Sequence, residues 1–580
     1  MSSVSHARDI QLLVFSLALF WAVLYALRHH RARARRISTL PSLTSSARGP
    51  ASTELFRSPA TRITLDTCHL RYSSTAWNAL HQSSTARLAK RGDWRRALQL
   101  AYDVGSVLGV LGMLGSVLLL LWTVAQLSGS LYASSGYSRV SSASGIRKRD
   151  TIEDDGLISE THAAPALQLI IPGLTTPLHH LPLLLIALLT TQVIHECGHA
   201  VAAAIDALPL TSAGVGLTVI LPSAFVAFPS DETEALPLRS RARLVSAGAF
   251  HNLVFWLALG FAARIGTSAL VWPVLGYRDV SQYGRVVVGV DDMSPLYGHL
   301  PVGAVIYKVG DEMLAAPEGA AERWDALMSA TPSKSQPSLG WCAEEPWYMS
   351  QDASCCAARR SAVPSLSCFA AFGEARTERC VDPLRFLQPA ATQSVLRCTS
   401  AAECGHDQLC VRPRGDQELV TLTMHLPQWM RTSEADAERT VVWQGDRSEV
   451  AEEVDLGDWL PSYGWQPMSL PFVWGTLFSY MKMLTLSLYF FNLLPLPVLD
   501  GGQLYDTLYE ALTAHPSEEH EFVPLSSMEE GAELDDSVPA RRALGRSRRE
   551  KRNRLRRAVH ICVLALLGLC VVLSLVNTYL

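Results

Sequence analysis

The chain has 580 residues, 48% of them hydrophobic and 18% charged, with a mean hydropathy of +0.15. That balance excludes a single soluble core and points to a multi-pass membrane protein. A net charge of −4 argues against a nucleic-acid partner, and the charge comes in blocks: basic over 28–36 and 541–557, acidic over 518–536.

Apolar runs long enough to cross a bilayer occur six times, over 10–27, 104–127, 181–204, 244–263, 472–496 and 559–576. The first lacks a preceding basic region and a small-residue cleavage site, so it is expected to stay as an anchor. Basic flanks over 28–96, 239–243 and 541–557 orient the spans with those segments in the cytosol. Residues 128–165 and 265–467 then fall on the lumenal side. Residues 128–160, rich in Ser and Gly, read as a linker. Between the third and fourth spans, 208–229 is apolar but broken by Gly and Pro; a re-entrant hairpin or short sheet is expected there.

The lumenal stretch opens with β-branched runs at 284–290 and 302–306, and another follows at 418–426, which predicts a small β-rich module. Eight of the 12 cysteines lie between Cys342 and Cys410. An even number packed into one hydrophilic stretch predicts a disulfide framework in an oxidising compartment, inserted into that module. Spacing leaves the pairing open. Charge bias and cysteine usage thus agree on the topology. Residues 515–540, acidic and without apolar periodicity, read as a disordered cytosolic loop.

The chemistry is carried by His195-Glu196-Cys197-Gly198-His199, at the end of the third apolar run. Residues i and i+4 share a helix face, so both imidazoles can hold one Zn²⁺ while Glu196 reaches a water as general base. A His pair at this spacing can also be satisfied core residues. Within an apolar span, however, three polar groups in five residues are costly and call for a function. Cys197 is read as a small apolar filler. A catalytic zinc needs three protein ligands and an open position. The candidate third ligand is Asp500, in Asn492-Leu-Leu-Pro-Leu-Pro-Val-Leu-Asp500-Gly501-Gly502, where two prolines interrupt the helix and two glycines permit close backbone approach. Taken alone, Asp500-Gly501 also reads as an ordinary turn leaving the membrane. Asn252 and Asn492 are candidates for hydrogen-bonding an unwound substrate backbone; for Asn252 an interhelical structural bond is the alternative.

These segments together resemble the eukaryotic site-2 proteases, intramembrane zinc metalloproteases. The first zinc motif is carried by Val193-Ile-His-Glu-Cys-Gly-His-Ala200 and the second by Leu499-Asp-Gly-Gly-Gln503; Leu169-Ile-Ile-Pro-Gly173 and Ala247-Gly-x-x-His-Asn252 are similar to further family stretches. The resemblance implies a helical polytopic fold of about six transmembrane helices with a lumenal PDZ-like module carrying the cysteine-rich insertion. It implies His195, His199 and Asp500 as zinc ligands and Glu196 as catalytic base. The implied activity is cleavage within transmembrane helices of membrane-anchored, SREBP-like transcription factors, as the second step of regulated proteolysis, in the Golgi or endoplasmic reticulum. The basic arm after the first span and the length of 506–557 are untypical of the family.

The expected organisation is therefore a first transmembrane helix with a basic cytosolic arm (1–96), a second helix and lumenal linker (97–165), and a metalloprotease core (166–264). A lumenal PDZ-like domain (265–467) with its cysteine-rich insertion (342–410) follows. A core helix with the Leu-Asp-Gly motif (468–512), a cytosolic acidic and basic loop (513–557) and a last transmembrane helix (558–580) complete the chain. Two other readings stay open: a catalytically silent relative, and a transporter or scaffold with a metal site. The second leaves the histidine spacing and the distant Leu-Asp-Gly unexplained.

Overall fold

The computed structural model describes residues 2–38, 54–141, 176, 178–292, 294–329, 340–357, 366–372, 377–387, 396–414, 419–431, 437–445, 447–513 and 537–579. They form two compact units, one built from 3–262 and 477–580, the other from 263–476.

The first unit is helical. Its main helices are α1 (Ser2–Ser38), α2 (Trp77–Lys90), α3 (Gly92–Ser141), α4 (Leu181–Ile205), α5 (Leu238–Arg264), α6 (Leu470–Asn492), α7 (Asp500–Thr513) and α8 (Ser537–Tyr579). Among the described residues, five helical stretches are long and apolar enough to span a membrane: Gln11–Arg31, Gly92–Leu131, Leu178–Ile205, Leu238–Arg264 and Asn553–Asn577. The sixth expected span, 472–496, coincides with α6 but ends earlier. Lys482 and scattered Ser, Thr and Tyr residues lower its apolarity, and the chain leaves the helix at Asn492, before Pro495.

The core of this unit is where the helices meet. Tyr102, Ala202, Ile205, Leu244 and Ala247 pack α3, α4 and α5 together. Met113, Val245, Tyr489, Leu493 and Leu504 join α3 and α5 to α6 and α7. Charged groups at these junctions are paired, as groups leaving water must be. Arg243 Nε lies 2.6 Å from Asp103 Oδ1, and its Nη1 lies 3.1 Å from Asp206 Oδ1. One guanidinium so ties α3 and α5 to the end of α4.

The broken apolar segment 208–229 is a hairpin. Strands β1 (Glu54–Arg57), β2 (Thr61–Asp66), β3 (His69–Ser74), β4 (Ser212–Thr218) and β5 (Leu221–Ala227) form one antiparallel sheet in that order. The first three strands lie inside the basic arm, where short polar runs carry little β signal; pairing with the hairpin supplies the order instead. Helix α1 is fastened to this sheet by side chains spaced along one helical stripe: Trp21 Nε1 donates to Val219 O (3.0 Å), and the Arg28 guanidinium donates to Leu65 O (3.3 Å).

Two expectations about the loops change. The linker reading of 128–160 is corrected over its first part, because α3 continues to Ser141. The helix propagates out of the preceding apolar span, and Ser128 Oγ donates back to Val124 O at 2.6 Å. The remainder, 142–160, lies outside the described residues, as does 169–173. The loop reading of 513–557 is corrected over 537–557, which is the first part of α8; residues 514–536 lie outside the described residues.

The second unit is β-rich. Its larger sheet pairs Val305–Val309 with Leu419–His425 and with Arg285–Val290, and Leu419–His425 also pairs with Glu438–Gln444. Alternation explains the choice of face: Val420, Leu422 and Met424 are buried against Ile306, Leu314 and Trp324. Residues between these paired strands form a separate five-stranded sheet over 340–413. Four disulfides hold it: Cys342–Cys404, Cys355–Cys380, Cys356–Cys368 and Cys398–Cys410. Fully buried Tyr348 donates its hydroxyl to Phe369 O (2.7 Å), and burial pushes that phenol up to about 12, so it remains a donor at any physiological pH.

Removing Cys342–Cys404, whose partners stand 62 residues apart, should cost the cysteine-rich sheet about 2–4 kcal/mol by freeing the unfolded chain. Limited proteolysis of the full-length C342S/C404S chain is the check. Faster cleavage within 340–414 is expected, and an unchanged rate would show that the other three bonds suffice.

Candidate metal centre

Helix α4 presents His195 and His199 one turn apart, their Nε2 atoms 3.1 Å from each other. Asp500 comes to them from the far end of the chain. Helix α6 stops at Asn492, a tight turn over 493–499 follows, and α7 begins at Asp500, whose carboxylate so sits at a helix N-terminus. The turn closes only because Gly501 and Gly502 lie hard against the carbonyls of Leu493, Leu494 and Leu496, where a Cβ would collide with backbone. Asp500 Oδ2 stands 3.0 Å from His195 Nε2 and 3.3 Å from His199 Nε2, and the three side chains are 8%, 12% and 19% exposed, in the order His195, His199, Asp500.

Hydrogen bonding fixes what these atoms offer. His199 Nδ1 lies 2.8 Å from Leu244 O. A carbonyl only accepts, so Nδ1 carries the proton and Nε2 presents a lone pair. Asp500 Oδ2 is buried without a well-formed hydrogen bond. Electron-pair donors gathered to 3.0–3.3 Å in a buried place suit a cation between them. Tetrahedral zinc with bonds of about 2.0–2.1 Å sets its ligands about 3.3 Å apart. The two-imidazole, one-carboxylate set therefore fits zinc in both chemistry and size.

Gly248 of α5 faces the same point. A Cβ built there would run into the Nε2 atoms of both His195 and His199. The sequence signal for it was present in the Ala247-Gly248 stretch, but nothing in one sequence distinguishes this glycine from one that merely eases helix packing.

Glu196 is held from the sheet. Its Oε2 accepts the Val226 N–H at 2.9 Å, and one turn earlier Gln192 Oε1 accepts the Ala224 N–H at 2.9 Å. Strand β5 is the edge of its sheet, so these amides point away from β4. The match is geometric: four residues of helix rise about 6 Å, and two residues of strand rise about 6.8 Å. Sequence reasoning missed this pairing, since nothing local to 224–226 announces a partner 30 residues away.

The two asparagines meet at His195, which for Asn252 is an interhelical bond. Asn252 is fully buried, with its Nδ2 3.2 Å from His195 Nδ1, and Asn492 Nδ2 is 3.5 Å from the same atom. Both amides face His195 Nδ1, the ring nitrogen opposite the one that meets Asp500. With Nε2 turned to a metal, His195 Nδ1 carries the proton and needs an acceptor. Asn252 Oδ1 is buried with no partner, and turning the amide over supplies both. Asn252→Leu should then lower zinc affinity about 10–100-fold, with Asn252→Asp retaining most of it, by competition against a zinc indicator. Equal affinity in both variants would dismiss this orienting role.

Cys197, inside the motif, makes no approach to the metal point and is exposed. His251 Nε2 meets Tyr102 Oη at 2.6 Å.

Residues 183–526, more than half of the chain, match Peptidase family M50. Over 135 residues the chain is 31% identical to an Arabidopsis thaliana protein named membrane-bound transcription factor site-2 protease homolog. That stretch covers 23% of this chain and 25% of the relative, so the likeness extends over about a quarter of the relative's length.

Proposed function

The chain belongs to Peptidase family M50, and from that premise we propose that it is a zinc endopeptidase hydrolysing peptide bonds within transmembrane helices. The observation that carries the reading is the convergence of Asp500 on His195 and His199 beside a fixed Glu196, with both histidines and Glu196 on a helix apolar enough to cross a bilayer. In this reading His195, His199 and Asp500 hold the metal. Zinc there supplies Lewis acidity toward a water and toward the scissile carbonyl. Glu196, anchored through Oε2, takes the proton of the attacking water on its other oxygen and passes it to the departing amide nitrogen. Asn252 and Asn492 keep His195 in the tautomer that bonds a metal.

The finer features belong to the same proposal. The chain crosses the membrane about six times, with α6 as the sixth crossing, and the β-rich unit is a lumenal PDZ-like module with a cysteine-rich insertion. Four disulfides support an oxidising side for that unit. Substrates are membrane-anchored transcription factors of the SREBP-like kind, cleaved in the Golgi or endoplasmic reticulum; the name of the Arabidopsis relative supports that class.

Co-expression with single-span anchored transcription factors, scoring release of their cytosolic parts, tests the reading. Release is expected, stopped by a zinc chelator and restored by zinc. A zinc-loaded chain that cleaves no helical membrane substrate would leave the silent-relative reading standing.

A further inference from the structure

Many of the basic residues at the inner ends of the helices are used by the protein, while Arg87, Lys90, Arg91 and Arg96 are exposed with no acidic partner among the described residues. Arg28 donates to Leu65 O, Arg31 to Leu55 O and Arg95 to Ile205 O. Arg239 and Arg243 pair with Asp103, and Arg241 pairs with Glu510. A second such place lies within α8, where its apolar part begins. Arg554 and Arg557 are exposed and have no acidic partner among the described residues, while Arg556 reaches Asp506 of α7 at 3.1 Å. They close a run of ten Lys and Arg residues against one acid, Glu550, over 541–557.

Helix length places these side chains. The apolar stretch Asn553–Asn577 has 25 residues, a rise of about 37 Å, against a hydrocarbon thickness of about 30 Å. Its first turn therefore stands in the headgroup layer. Arginine forks there face lipid phosphates and carboxylates at close range, in a layer where charge attraction is only partly screened.

We propose that Arg554, Arg556 and Arg557 form a binding site for anionic lipid headgroups on the inner leaflet, beside the helix that carries Asp500. Charge complementarity selects this occupant: the surface is cationic, sits at headgroup depth and, apart from Asp506, lacks protein counter-charges among the described residues. Arg556 links the site to α7, because its partner Asp506 and the candidate metal ligand Asp500 belong to the same short helix. The proposal rests on the membrane reading of α8 and is independent of catalysis.

The test uses the full-length chain in phosphatidylcholine vesicles doped with spin-labelled phosphatidylserine or spin-labelled phosphatidylcholine. The immobilised fraction of each gives the preference, and zinc content is measured on the same samples. The wild-type chain should select phosphatidylserine and lose that selection at high salt. R554Q/R557Q should lower the preference severalfold, about fivefold at most per side chain withdrawn, with zinc unchanged. Equal association of both lipids with the wild type, or a preference kept by R554Q/R557Q, would overturn the site. A preference that appears only after deletion of 518–536 would also overturn it, by assigning the arginines to that acidic segment. Because the readout is lipid selection, failure of the chain to cleave any substrate would count against the proposed protease function and not against this site.

Discussion

Glu196→Gln is expected to retain one zinc per chain and to lose cleavage of a helical membrane substrate by a factor of about 10²–10⁴ or more. The substitution is nearly isosteric, and its amide oxygen can still accept the Val226 N–H that holds Glu196 at 2.9 Å. Neither His195, His199 nor Asp500 is touched, so the metal point should be unchanged. What disappears is the ability to take a proton from water and return it to the leaving nitrogen. Zinc analysis of the purified chain alongside timed release of a labelled substrate separates the two effects. Turnover near that of the wild type would remove Glu196 from its role as base; loss of both zinc and turnover would show that the residue acts on the metal site as a whole.

The site was legible in the sequence to the extent that it is local or punctuated. His195 and His199 announce themselves because helical periodicity alone puts them on one face. Asp500 could be suspected because prolines and glycines mark where α6 has to break, yet its 3.0 Å approach to His195 depends on a turn of backbone that no periodicity encodes. Residues acting through the third dimension stayed hidden. The amides of Ala224 and Val226 are available only because β5 is an edge strand, and β1–β3 reach the same sheet from a segment that reads as a basic arm. Asn252 was noticed as a polar residue in an apolar helix, but the direction it faces was not readable. It faces His195 Nδ1. At fold level the β-branched runs and the cysteine cluster were readable because strand alternation and thiol chemistry are local properties. The helical continuation to Ser141 was not, since Ser128, which reads as linker, returns its hydroxyl to the helix backbone instead.

Gly248→Ala is expected to strike the metal centre directly. The new Cβ would point at the Nε2 atoms of His195 and His199 together, where the metal-facing lone pairs lie. Neither ring can swing away cheaply. His199 is held through Nδ1 by Leu244 O at 2.8 Å, and His195 has fully buried Asn252 behind it. Nor can α5 retreat, because Ala247 and Ala249 on either side of the glycine are themselves fully buried against neighbouring helices. Overpacking of this kind costs about 1–3 kcal/mol in stability, but the larger effect falls on the metal, whose affinity should drop by roughly 100-fold or more as both ligands are displaced. Gly260→Ala is the matched control: it lies on the same helix, with nothing within 4 Å of a built Cβ. It should leave zinc binding and cleavage alone. If Gly248→Ala bound zinc as tightly as Gly260→Ala in buffered-zinc dialysis, the metal could not lie between these two imidazoles and Asp500.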